Sequence, residues 1–106
     1  MAEMKVMALV DAVFAVRGAD ELAVICAREP FSLEAEAVIV TSTEDYGIPD
    51  EMRREGFSYF LEKEDVLELL ETISIKGVSR EAQAAFVAHY AVFDAYPMWF
   101  YELPDC

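Results

Sequence analysis

Val66, Leu69, Leu70 and Ile73 recur at i, i+3, i+4 and i+7, and that spacing leaves little choice of local structure. At 3.6 residues per turn the four side chains form one apolar stripe, which predicts an amphipathic helix from about Glu62 to Ile75. A helix so patterned must bury its stripe against another element. Just beyond it, Gly77 suits a left-handed C-cap, Lys76 suits the negative end of the dipole, and Ser79 is placed to open a second helix. The second helix is expected to put Ala82, Ala85, Phe86, His89 or Tyr90, and Phe93 on one face, and to stop at Pro97. Two helices joined by so short a connection pack as an antiparallel hairpin.

Upstream the pattern changes to period two. From Met4 to Val16, the residues Val6, Ala8, Val10, Ala12, Phe14 and Val16 form one alternating set, which predicts a strand. A turn signal follows at 17–20. The segment 21–28 reads either as a helix capped by Asp20, with Leu22, Ile25 and Cys26 on one face, or as a second strand through Leu22, Val24 and Cys26. Glu36 to Thr41 is the cleanest strand, and Phe57, Tyr59 and Leu61 add a short one. Between these lies a charged loop broken by Gly47 and Pro49, and the tail from Tyr96 is aromatic and unpatterned. The expected fold is α+β: an antiparallel sheet of about three strands with one packed helix, then the helical hairpin. Residues 1–106 are expected to form a single compact domain, with the sheet in 1–60 and the helices and aromatic tail in 61–106.

Charge narrows the function. Twenty-one Asp and Glu against eight Lys and Arg give a net charge of -13, in a chain that is 56% hydrophobic. A disordered acidic tail lacks apolar residues to bury, so this chain should instead fold with an acidic skin. Such a surface repels nucleic acid directly and attracts a basic protein partner. Residues 44–71 hold ten carboxylates and three basic residues, a net of -7 and more than half the excess. With Cys26 in an apolar run and Cys106 the last residue, no disulfide framework is indicated, and a reducing cytoplasm is the expected compartment. No secretory leader pattern is apparent, and no stretch approaches the ~20 apolar residues of a membrane span.

Recognisable catalytic patterns are absent. The chain has one histidine, His89, set among Phe86, Tyr90 and Phe93, where a satisfied, partly buried ring is expected. No His or Cys pair has metal-ligand spacing, the acidic loop from Glu44 to Glu55 lacks the alternating donors of a calcium loop, and the glycines are scattered. We therefore expect no enzyme, metal or cofactor.

A row of carboxylates is more informative. Glu64, Asp65, Glu68 and Glu71 project opposite the apolar stripe, with Glu64, Glu68 and Glu71 at i+3 and i+4 spacing and Lys63 the nearby cation. Like charges in that register cost a helix a few tenths of a kcal/mol each. They also approximate the charge density of a nucleic-acid strand, one phosphate per ~3.4 Å. A solvated helix face is the alternative explanation.

The order of motifs resembles the ArdA-type antirestriction family. The resemblance rests on ADEL at 19–22, the strand around Glu36, Val38, Ile39 and Val40, the loop DYGIP with Asp45, Tyr46 and Gly47, the helix LEKEDVLELLETI, and EAQAAFVAHY with Ala85, Phe86, Ala88 and Tyr90. It spans about Lys5 to Tyr90 as a loose series of short motifs. It implies an elongated acidic protein that imitates bent DNA and occupies the groove of type I restriction enzymes. Full-length members carry a third acidic segment without counterpart here, so the homodimer it supports is left open. A shortened relative turned against another defence complex, as small anti-CRISPR inhibitors are, fits the same features. The expected contacts are Glu44, Asp45, Asp50, Glu51, Glu64, Asp65, Glu68 and Glu71. The alternative is an interaction module or an immunity-type toxin inhibitor docking through Tyr96, Trp99, Phe100 and Tyr101.

Overall fold

The computed structural model describes residues 5–41 and 50–105. The elements are β1 (Met7–Ala8), α1 (Leu9–Ala15) with a 3-10 turn at Val16–Gly18, β2 (Ala23–Ala27), β3 (Glu36–Thr41), α2 (Asp50–Arg54), β4 (Ser58–Glu62), α3 (Lys63–Ser74), α4 (Arg80–Phe93) and α5 (Met98–Glu102). The fold is α+β, with a four-stranded antiparallel sheet in the order β1-β3-β2-β4.

The N-terminal segment departs from the strand expected over 4–16. Only Met7 and Ala8 pair with β3, and the chain then turns into α1. An apolar segment contains both periodicities, and here Leu9, Ala12, Val13 and Val16, at helical spacing, are fully buried. Ala8 at the N-cap offers no side-chain acceptor. Instead the first amides of α1 donate to the β2–β3 connection, Leu9 N to Ala35 O at 2.8 Å and Val10 N to Leu33 O at 3.0 Å. Those tertiary bonds satisfy donors that a local cap would otherwise serve.

The ambiguous segment at 21–28 holds a strand, Ala23–Ala27, while Leu22, expected within it, lies just outside and is 54% exposed. Asp20 Oδ1 accepts from Leu22 N at 2.9 Å, closing a turn rather than capping a helix. All five residues of β2 are buried because the sheet is covered on both sides. Ala23, Ile25 and Ala27 belong to the main core with α1, α3, α4 and α5, while Val24 and Cys26 meet Val38, Met52 and Phe57 on the opposite face. Pairing of β2 with β4 slips by one residue between Ile25 and Cys26. That bulge lets the adjacent Phe60 and Leu61 enter the same core.

α3 and α4 form the hairpin, joined by a turn in which Gly77 takes φ 63° and Ser79 Oγ accepts from Ala82 N at 3.1 Å. The expected face of α4 needs correction. Phe86, on that face, is fully buried in the main core, but its buried neighbours there are Ala84, Val87 and Ala88, while Phe93 is 65% exposed. The helix also ends at Phe93, before Pro97, because Asp94 adopts φ 53° and its N–H closes on Tyr90 O at 2.8 Å. Pro97 instead precedes α5, so the tail is helical rather than unpatterned. No described helix is long and apolar enough to cross a membrane.

Candidate partner-binding surface

α3 supplies the surface. Its stripe of Val66, Leu69, Leu70 and Ile73 is buried, which directs Glu64, Glu68 and Glu71 to solvent and leaves Asp65 half-buried at the flank. From Glu64 to Glu71 the row spans ~10.5 Å at 1.5 Å per residue, so its four carboxylates average one per ~3.5 Å of axis. Glu64 and Asp65 lie in the first turn, where the dipole favours them. Glu71 lies near the opposite end, and the last turn of α3 holds no basic residue to offset it.

The neighbouring lysines are engaged elsewhere. Lys63 Nζ donates to Ala19 O at 2.7 Å, and Lys76 Nζ donates to Leu103 O and Asp105 Oδ1, both at 2.9 Å. Among the described residues the ion pairs are Arg28–Glu36, Lys76–Asp105 and Arg80–Asp11, none of which involves the α3 row. The surrounding field is registered by two tyrosines. The Tyr59 hydroxyl is raised above its ordinary value by burial first and then by Glu62 and Asp65. Tyr90 is raised first by the neighbouring charge of Asp94, with a smaller contribution from Asp65.

The acidic candidates do not gather in one place. Asp50 and Glu51 open α2, whose Met52 packs on the sheet face opposite the one α3 covers, and Arg53 and Arg54 balance them within the same helix. Glu44 and Asp45 lie outside the described residues. What remains together is Glu64, Asp65, Glu68 and Glu71.

The tail divides into buried and exposed parts. Tyr96, Trp99 and Phe100 surround the buried Phe86 with ring centroids at 5.0, 6.2 and 5.1 Å. Phe100 is itself buried beneath Lys76 Nζ, 4.8 Å from its centroid, whereas Tyr101 and Met98 are 68% and 78% exposed. His89 Nδ1 donates to Ala95 O at 3.0 Å, and the ring lies 4.6 Å from Phe93. No cluster of three or more metal-ligating side chains occurs among the described residues.

Sequence spacing missed a cleft of about 130 Å³ between α3 and the α4–α5 corner, lined by Asp65, Glu68, Leu69, Thr72, Tyr90 and Tyr96. Its two walls are separated by more than fifteen residues of chain, so no local periodicity could reveal it. Comparison of the chain with protein-family models, curated proteins and solved structures finds no match.

Proposed function

We propose that this protein is an acidic, DNA-mimic-like inhibitor, acting in the cytoplasm against a bacterial defence nuclease complex of the restriction or CRISPR type. Its carboxylates would occupy the Lys- and Arg-lined channel that normally holds nucleic acid. The observation that carries the reading is the α3 row: four carboxylates within ~10.5 Å, with both flanking lysines committed to backbone carbonyls. A helix selected for stability alone would place a cation among them. The resemblance in motif order to the ArdA-type family supports the same class of target.

The test is titration of the purified protein into DNA-cleavage assays with a type I restriction enzyme and with a guide-loaded CRISPR nuclease, at low and high salt. Stoichiometric inhibition that weakens as salt rises is expected. Replacing Glu64, Glu68 and Glu71 together by Gln should weaken binding on the order of tenfold or more, at roughly 0.5 kcal/mol or more per exposed pair, and flatten the salt dependence. Full inhibition by that triple variant would sink the mimicry reading.

A second reading, docking through the C-terminal aromatics, is favoured by the exposure of Met98 and Tyr101. Because Trp99 and Phe100 pack on Phe86, removal of the whole tail would damage the core. The discriminating variant is Met98→Ser with Tyr101→Ser, which should fold normally and, on this reading alone, lose the partner.

A further inference from the structure

We propose that the cleft between α3 and the α4–α5 corner receives the guanidinium of an arginine side chain from the partner, met by Asp65 and Glu68 and by the rings of Tyr90 and Tyr96. This inference rests on the basic-partner reading above and specifies the chemistry of the anchoring residue. The cleft encloses about 130 Å³, several times the room a single water needs. Two carboxylates and two aromatic rings converge on it from separate elements, α3 on one side and α4 with the tail on the other. Neither carboxylate has an ion-pair partner among the described residues.

The lining discriminates between cations. A lysine ammonium is a compact, strongly hydrated point charge, and the exposed part of the α3 row satisfies it as well as any other carboxylates. A guanidinium is planar and weakly hydrated; it accepts carboxylates at its edge while an aromatic ring covers its face. Tyr90 and Tyr96, 6.1 Å apart between ring centroids and inclined at 48°, are the aromatic residues that line the cleft beside the two carboxylates. Leu69 and Thr72 complete the lining. The exposed row of Glu64 and Glu71 would then provide general attraction, and the cleft a preference for arginine.

The experiment measures binding of fluorescent nona-arginine and nona-lysine peptides, equal in charge, to the full chain at low salt. The arginine peptide should bind about two- to fivefold tighter, the increment expected of an exposed cation–π contact. Asp65→Asn with Glu68→Gln should weaken both peptides and remove the preference, and Tyr90→Leu should weaken the arginine peptide alone. Glu64→Gln with Glu71→Gln should weaken both equally and leave the ratio intact. Circular dichroism and thermal melting confirm that each variant folds. Equal binding of the two peptides, or a preference that survives both cleft variants, overturns the cleft assignment while leaving the basic-partner reading standing. If neither peptide binds, that reading fails with it.

Discussion

Cys26 is fully buried in β2, against Val24, Val38, Met52 and Phe57. Burial pushes its thiol from an ordinary value of 9.0 up to about 11. Since the folded state holds the proton more tightly than the unfolded chain, the associated stability is fully present below pH 9.0 and is lost as pH rises towards about 11. Urea titrations across that window should show a larger fall for the wild type than for Cys26→Ala, and an equal fall in both would contradict the assignment. In the sequence, Cys26 was legible as a small core residue from its apolar neighbours. The role of Lys63 was not. Counted along α3 it is the cation that offsets the acidic row, yet its ammonium turns to Ala19 O, 44 residues away in the chain. A carbonyl that tertiary packing brings close leaves no trace in local spacing.

Whole elements differ in the same way. α3 and β3 were legible because a single strong pattern, period 3.6 or an unbroken β-branched run, had no competitor. α1 was misread because its apolar residues satisfy both periods, and the deciding interactions are amides donating to Ala35 O and Leu33 O on another part of the chain. α4 was half legible. Phe86 is buried in the main core as its spacing predicts, and there it meets the tail; Ala84 and Ala88, buried in the same core, are small residues that do not stand out in the pattern. Helix α5 is held by Lys76, whose side chain is 9% exposed and whose ammonium binds Leu103 O and Asp105 beside the Phe100 ring. Lys76→Met should therefore loosen the tail, losing hydrogen-exchange protection in α5 and costing about 1–3 kcal/mol for the unsatisfied carbonyl and lost charge-assisted bonds. Unaltered protection in α5 would show that the aromatic packing on Phe86 suffices.

For the molecule as a whole, a charge of -13 opposes compaction. Raising ionic strength from about 0.01 M to about 0.15 M shortens the screening length from ~30 to ~8 Å. The melting temperature should rise by a few degrees over that range, and by less in the Glu64, Glu68 and Glu71 triple Gln variant; an unchanged melting temperature would mean that the charges are too dispersed to matter. The candidate surface was only partly legible from the same charge. Glu64, Glu68 and Glu71 could be assigned to one exposed face because helical geometry is local and the buried stripe fixes its opposite. Asp50 and Glu51 could not be separated from them, since the sheet that divides the two groups is assembled from distant strands. Sequence alone thus determined the α+β class, the amphipathic α3 and the exposure of Glu64, Glu68 and Glu71, all consequences of periodicity within one element. Only the tertiary structure decided that α1 is a helix, that the segment 21–28 holds a strand, Ala23–Ala27, buried on both faces, and that Asp65 and Glu68 share a cleft with Tyr90 and Tyr96. Each of these depends on partners far along the chain, whose contacts determine which of several local patterns is realised.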